Sequence, residues 1–249
     1  MSFVANIVKD RPNDGARVKG DQIRPAANEV NNPANPTGGL DTEGTAGKDV
    51  VRGTNKSDVI RGNDGNDNLN GRARQDLLSG EGGNDVLRGG GGNDTLVGGD
   101  GNDVLKGGDG KDLITGDRGD DKIMGGRGDD LIVGGEGNDI LRGGRGDDIL
   151  EGGLGADTYV FKGNDFGGGF SAKTVIGFNK GEDILELISG ASRSFSGMTV
   201  GSDFVVGVTN KNNALISTIT FVGLGGQIGD ASGLSASAMS NMFVQADIT

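Results

Sequence analysis

Apolar residues recur every nine residues along the middle of the chain. Each of them lies two residues after an aspartate, with polar residues or glycine close on both sides. Repetition at a fixed period over this many units is typical of solenoids. Each unit predicts a very short strand with one inward side chain, because neighbouring side chains in a strand point to opposite faces. The apolar row consists of Val51, Ile60, Leu69, Leu78, Leu87, Leu96, Leu105, Ile114, Ile123, Ile132, Leu141, Leu150 and Tyr159.

The residues between these strands predict a tight turn of the form Gly-x-x-Gly-x-Asp. Residues 134–139 give a clear example, Gly-Gly-Glu-Gly-Asn-Asp. The glycines permit positive φ, so the chain can reverse and direct carbonyl oxygens inward. Two turns and two strands make one coil, and adjacent coils should lie about 4.8 Å apart. The predicted fold is all-β, a right-handed parallel β-roll of 18-residue coils, each built from two nonapeptides, over residues 44–160.

The flanking segments have a different character. Residues 1–43 are polar and interrupted by four prolines, which predicts an extended or disordered segment with at most short strands near Phe3–Val8. Residues 161–229 predict a β-rich capping region, because a solenoid must cover its last coil. Asp165 and Asp183 are candidate ligands for a further ion there. Period-2 patterns predict strands at 158–161, 174–178, 184–187, 204–208 and 214–222.

Composition narrows the chemistry to oxygen ligands. The net charge is −12, which disfavours nucleic acid and anionic membranes as partners and favours metal cations. The chain has no Cys and no His, so disulfides, thiolates and imidazole ligands are excluded. Carboxylate, amide and carbonyl oxygens remain, and these suit Ca²⁺. We expect no enzymatic activity.

Stacked turns predict the metal sites. Two carboxylates and several carbonyls from turns that are two nonapeptides apart would meet within reach of one ion. Composition alone also fits a disordered linker, but a linker would not keep an apolar residue in fixed phase. Alternate turns stack on opposite sides of the roll. The first side consists of the turn that ends at Asp49 and every second turn after it. The second side consists of the turn that ends at Asp58 and every second turn after that. The predicted ligand residues are Asp49, Asp67, Asp85, Asp94, Asp103, Asp112, Asp121, Asp130, Asp139, Asp148 and Asp157, with turn glycines Gly65, Gly83, Gly92, Gly101, Gly110, Gly119, Gly128, Gly137 and Gly146.

Adjacent pairs of these turns predict about nine Ca²⁺ sites, six on the first side and three on the second. The turns that end at Asp58 and Asp76 are expected to be weak. Lys56 and Arg74 replace the fourth-position glycine there, which adds a side chain where φ is expected to be positive and a cation beside the site.

The turn and strand together, Gly-Gly-x-Gly-x-Asp-x-U-x with U apolar, resemble the calcium-binding nonapeptide of RTX (hemolysin-type) proteins. The resemblance covers residues 44–160 and implies a roll that folds at extracellular calcium. It also implies secretion by a type I exporter without a cleaved N-terminal signal peptide. The tail 230–249 is similar to the uncleaved C-terminal signals that such exporters recognise, and residues 175–187 resemble the segment that follows the repeats in RTX proteases.

The expected function is therefore that of a secreted calcium-binding protein in extracellular interaction. Its layout is similar to that of the small nodulation protein of root-nodule bacteria, which implies a role in host signalling. The alternatives are a C-terminal module or homologue of a calcium-dependent polysaccharide-modifying enzyme, or an adhesion module. An outward apolar stripe is expected either to be covered by a terminal segment or to contact a host surface or a second copy. The stripe consists of Val59, Leu77, Thr95, Leu113, Leu131 and Ile149.

Overall fold

The computed structural model describes residues 38–166, 171–179, 181–188, 193–200, 203–210, 215–222 and 234–235. This part of the chain is almost entirely β-structure, with one 3₁₀ turn at Gly163–Phe166. The strands are β1 (Asp41–Glu43), β2 (Val50–Arg52), β3 (Val59–Asp64), β4 (Asn68–Ala73), β5 (Leu77–Gly82), β6 (Val86–Gly91), β7 (Thr95–Asp100), β8 (Val104–Asp109), β9 (Leu113–Arg118), β10 (Lys122–Arg127), β11 (Leu131–Glu136), β12 (Ile140–Arg145), β13 (Asp148–Leu154), β14 (Thr158–Lys162), β15 (Ser171–Ile176), β16 (Ile184–Ile188), β17 (Arg193–Val200), β18 (Asp203–Asn210), β19 (Leu215–Phe221) and β20 (Leu234–Ser235).

Odd and even strands of the roll form two separate parallel sheets. The even strands β2 to β16 build one sheet and the odd strands β1 to β15 begin the other. Within the repeats each residue pairs with its equivalent two nonapeptides away, as Val86 pairs with Val104. This spacing confirms the prediction of an all-β parallel roll with 18-residue coils. Consecutive strands therefore lie on opposite sheets, and every second turn stacks on the same side.

A single row of apolar side chains per sheet fills the interior. Leu78, Leu87 and Leu96 have no exposed surface, and the other members of the predicted row are also buried. The core is therefore only one side chain deep on each sheet. Such a core buries little apolar area per residue, and the burial of aliphatic groups alone supplies limited stability.

The roll extends beyond the predicted boundaries at both ends. β1 pairs with β3 in parallel, so the first coil includes Asp41–Glu43. The sequence pattern had assigned these residues to the extended N-terminal segment 1–43. At the other end β15 and β16 continue the parallel pairing to Ile188. The coil that leads to β15 is longer than a pair of nonapeptides, because Asp148 pairs with Lys173 and not with Phe166.

The C-terminal cap begins where β19 pairs with β15. β19, β18 and β17 then form an antiparallel meander, with β20 at its edge. Aromatic rings close the interior at this end. The ring centroids of Tyr159 and Phe178 are 5.5 Å apart, and those of Phe178 and Phe221 are 5.2 Å apart. The five predicted strands of this region are confirmed as β14, β15, β16, β18 and β19, whereas β17 and β20 were not predicted.

Two predicted segments lie largely outside the described residues. They are Phe3–Val8 and the tail 230–249, of which only β20 is described. Among the residues with a described structure, no helix has the length and apolar character needed to span a bilayer.

Candidate metal centre

The turn aspartates form two hydrogen-bonded ladders along the roll. In each ladder the Oδ1 atom of one aspartate accepts the main-chain N–H of the equivalent aspartate in the preceding coil. Asp85 accepts from Asp67 in this way at 2.7 Å, and Asp103 accepts from Asp85 at 2.7 Å. The first ladder runs along the first side from Asp49 to Asp157 and the second from Asp58 to Asp148. Every coil is thus joined to the next by a buried carboxylate.

The second carboxylate oxygen of most ladder aspartates has no hydrogen-bond partner. These oxygens are buried, as the exposed fractions of the ladder aspartates are 3% or less. A buried carboxylate oxygen without a donor is costly and requires a compensating group. The affected atoms are Oδ1 of Asp49 and Oδ2 of Asp67, Asp76, Asp85, Asp94, Asp103, Asp112, Asp121, Asp130, Asp139 and Asp157.

Glycine at the first turn position leaves a space between these oxygens and the next coil. A methyl group added at Gly125 would meet Asp130 Oδ2 and would lie 2.6 Å from the carbonyl oxygen of Gly143. The same two kinds of oxygen surround Gly134, where the distance to the Gly152 carbonyl oxygen would be 2.5 Å. A carboxylate of one turn and a carbonyl of the next therefore converge where a side chain would otherwise sit.

From the turn at residues 62–67 onward, the turn backbone adopts positive φ at the second and fourth positions. At the fourth position all nine predicted glycines have φ between 116° and 142°, from Gly128 to Gly110, which confirms their conformational role. At the second position four non-glycine residues tolerate φ of 67° to 88°: Asn63, Arg72, Glu81 and Asp117. The metal-binding role of the glycines stays a prediction.

Burial raises the pKa of the ladder carboxyl groups. It raises the pKa of Asp67, Asp94 and Asp139 to about 6. For Asp103 and Asp121 the pKa rises to about 7, and neighbouring carboxylates add to the effect of burial. For the same reasons the pKa of Asp76 reaches about 7 and that of Asp130 about 8. Without a bound cation these groups therefore retain protons at a pH where an exposed aspartate is ionised.

The first turn of the second side satisfies its own aspartate. Asp58 Oδ2 accepts the main-chain N–H of Thr54 at 2.6 Å, and the Thr54 hydroxyl donates to Asp58 Oδ1 at 2.8 Å. Arg74 has φ of 76°, as predicted, but the expectation for Lys56 is wrong, since its φ is not positive. Lys56 instead extends its ammonium group to 3.0 Å from the Gly38 carbonyl oxygen. Threonine at the second position gives this turn a different shape.

At the C-terminal end of the roll, both ladders end in hydrogen bonds to residues of the cap. On the first side, Asp183 Oδ1 accepts the N–H of Asp157 at 3.0 Å and its Oδ2 accepts the N–H of Asn179 at 2.8 Å. On the second side, the Lys173 ammonium group lies 2.7 Å from Asp148 Oδ2. Asp165, the other candidate ligand, forms an ion pair with Arg142 at 2.5 Å. The carboxylates of Asp165 and Asp183 are thus engaged within the protein.

The donor set fits calcium. Among the described residues no three carboxylates converge on one point, so each site would combine a few carboxylate oxygens with main-chain carbonyls. Calcium accepts six to eight such oxygens in flexible geometry. The residues that would hold it are the predicted ladder aspartates and the carbonyl groups of their turns. Calcium would supply the positive charge that the unpartnered oxygens lack.

Comparison with known proteins identifies the repeats. A family model described as RTX calcium-binding nonapeptide repeat (4 copies) matches residues 43–76, 62–96, 71–105, 97–132 and 124–159. The solved structure of the extracellular lipase LipA from Serratia marcescens is similar over 67% of this chain, with 21% sequence identity and a TM-score of 0.27. The match spans 38% of the lipase chain. No curated protein matches this chain.

Replacement of a ladder carboxylate should weaken calcium binding. We expect Asp103→Asn to lower the number of bound ions by at least one, because it removes the charge of Oδ2 in a buried, unpartnered position. Asp100→Asn is the matched control, as the Asp100 side chain is 73% exposed and pairs with Arg118 at 3.5 Å. Native mass spectrometry in calcium counts the ions. An unchanged count in Asp103→Asn would contradict this assignment.

Calcium affinity should rise with pH. The ladder carboxyl groups with pKa between about 6 and about 8 must lose protons when a cation binds, so protons compete with calcium in this window. The folding stability of the metal-free roll depends on pH with the opposite sign. The folded state holds more protons than the unfolded state above the ordinary aspartate pKa of 3.8, so the stability of the metal-free roll falls as pH rises towards about 8. Calorimetric titration in buffers of different ionisation enthalpy measures the proton release. A pH-independent affinity over this window would contradict the prediction.

Proposed function

Because residues 43–159 belong to the RTX calcium-binding nonapeptide repeat family, we propose that this chain is a secreted, non-enzymatic protein whose roll folds when it binds calcium outside the cell. The observation that carries the proposal is the row of buried carboxylate oxygens without partners. The exporter, the ion count and the extracellular partner are all parts of this proposal.

The geometry supports coupling between calcium and folding. In the unfolded chain the aspartates are solvated and separate, whereas the roll buries them close to one another. A ligand that binds only the folded state stabilises it by mass action. Each ladder carboxylate after Asp49 also accepts a hydrogen bond from the neighbouring coil, so occupation of one turn organises the next. We therefore expect a steep, cooperative response.

About nine ions are proposed, six on the first side and three on the second. Asp58 has both oxygens occupied by protein donors, which supports its exclusion. Asp76 keeps an unpartnered Oδ2, so the pair Asp76 and Asp94 is a candidate for one further site. Arg74, in the fourth position of the Asp76 turn, places a cation near that pair and supports its lower affinity.

The energetics of the turns support secretion. A chain that depends on several calcium ions would remain unfolded where calcium is scarce, and an unfolded chain suits passage through an exporter. RTX repeats are typical of secreted proteins, which supports the same localisation. We propose type I export directed by the tail 230–249, with folding after arrival outside.

The apolar stripe on the odd strands is the proposed contact face. Leu131 and Ile149 are each 40% exposed, and the members nearer the start of the stripe are partly buried. Side chains that are aliphatic except for Thr95, and exposed or partly exposed on adjacent strands, form a surface suited to a host surface or a second copy. More specifically, we propose a nodulation-type role in host signalling, which rests on the layout of the chain.

A groove on the even-strand sheet supports a second candidate, the binding of an acidic polysaccharide. The groove has a volume of about 580 Å³, and Asp109 and Asp165 are its only lining carboxylates among the described residues. Arg88 and Lys106 are neighbours on paired strands, and no described carboxylate forms an ion pair with either. The lining cations are Arg72, Arg88, Lys106, Arg127, Arg142 and Arg145.

Charge reversal in the groove tests this second candidate. We expect Arg88→Glu with Lys106→Glu to weaken binding to a linear polyuronate at least about tenfold, because two neighbouring cations become anions. Arg118→Glu is a control for charge reversal outside the groove, since Arg118 lies on β9 of the other sheet and is exposed. Affinity electrophoresis in calcium measures binding. Equal binding by wild type and the double variant would contradict the candidate.

Chelation tests the main proposal. In chelator the circular dichroism spectrum should lack the β signal, which should return cooperatively on addition of calcium, because the carboxylates are then neutralised in the folded state. Magnesium at the same concentration is the control and should restore much less, as it tolerates a flexible oxygen cage poorly. A full β spectrum in chelator at neutral pH would refute the folding switch.

A further inference from the structure

Lys173 lies where the second ladder would place its next aspartate. β13 and β15 pair in parallel, with Asp148 opposite Lys173 and Leu150 opposite Val175. Val175 is fully buried and takes the place of the apolar residue of a repeat. Lys173 therefore takes the place of the aspartate that precedes it by two residues. The repeat pattern hides this equivalence, because the intervening coil is longer than two nonapeptides.

The ammonium group of Lys173 points back into the preceding turn. It donates to the carbonyl oxygen of Gly144 at 2.7 Å, to the carbonyl oxygen of Gly146, and to Asp148 Oδ2 at 2.7 Å. An ammonium group has three N–H donors, so all of its donors are used. The Lys173 side chain is 1% exposed. The Phe166 ring centroid lies 5.8 Å from the Nζ atom and encloses the group from another direction.

These three oxygens come from the second, fourth and last positions of the Gly-x-x-Gly-x-Asp turn at residues 143–148. Other repeat turns, such as residues 125–130, present the same positions, but there the aspartate Oδ2 has no partner. Asp148 lacks such an unpartnered oxygen because Lys173 supplies the donor. The Lys173 ammonium group thus provides at this turn the hydrogen-bond donor and the positive charge that the other turns lack.

We propose that the Lys173 ammonium group replaces a calcium ion in the last turn of the second side, so that this turn contains a latent metal site filled by the chain itself. The inference rests on the proposed function, in which the other repeat turns hold calcium. A single positive charge is enough at this turn, because the ladder ends here and Asp148 is the only carboxylate among the described residues that pairs with Lys173. The end of the roll that joins the cap would close without metal and offer a fixed surface on which calcium-loaded coils stack.

Restoration of an aspartate should expose the latent site. We expect Lys173→Asp to bind one calcium ion more than wild type, counted by native mass spectrometry, because it removes the internal cation and continues the ladder. Lys122→Asp is the control with the same change of charge, since Lys122 is exposed on β10 and its side chain lies outside the turns. It should leave the count unchanged. A folded Lys173→Asp protein with the wild-type count would overturn the assignment.

Chemical labelling of the wild-type protein tests the inference without a variant. In saturating calcium, the Lys173 amine should react with an acylating reagent at least about tenfold more slowly than the amine of Lys122, because the ammonium group stays buried and hydrogen bonded. Labelling of the two at equal rates would mean that calcium displaces Lys173 and would overturn the proposal. A wild-type protein that binds no calcium would contradict the proposed function instead, while slow labelling would still locate Lys173 in the turn.

Discussion

The carboxylate at the end of each turn is the group on which the rest of the roll depends. One of its oxygens accepts a main-chain N–H of the neighbouring coil, and this bond holds the coils in register. Its other oxygen is buried without a donor at most turns. The same side chain therefore aligns the stack and creates a need for positive charge. The fold and the cation binding therefore both follow from the position of this aspartate at the end of the turn.

The thin core explains why the roll depends on a positive charge at these carboxylates. Each nonapeptide contributes one fully buried aliphatic side chain, as Leu87 and Leu96 do, and most remaining residues are glycine or polar. Aliphatic burial of this extent offsets little of the entropy lost when so many glycines become ordered. A roll of this composition must gain stability from charge compensation. The aromatic cluster of Tyr159, Phe178 and Phe221 at the C-terminal end is the exception and forms the most conventional core in the described chain.

The sequence predicted the features that repeat and missed those that break the repeat. Period and phase predicted the apolar row, the parallel pairing and the positive φ of the turn glycines, because each depends on residues at fixed spacing. The shape of the Asp58 turn was missed, since Thr54 acts through a local hydrogen bond that the glycine pattern does not reveal. Lys173 was missed because the last coil is longer, so its equivalence to an aspartate exists only in the strand pairing. Alignment of the apolar Val175 with Leu150 was the one signal that could have located it. The antiparallel cap depends on long-range packing, which short apolar patterns specify weakly.

The protein donors at the ends of the two ladders have a consequence for self-assembly. A stack of identical coils could in principle grow by end-to-end addition of further molecules, as open-ended sheets do in fibrils. Here the acceptors at three of the four ladder ends are already taken, by Leu40 and Thr54 at Asp58, by Asn179 at Asp183 and by Lys173 at Asp148. A second molecule would find no free carboxylate in register at these positions. The fold thus blocks hydrogen-bonded growth at three of the four ladder ends and leaves Asp49, whose Oδ1 has no partner, as the one ladder end that could accept a coil of another molecule.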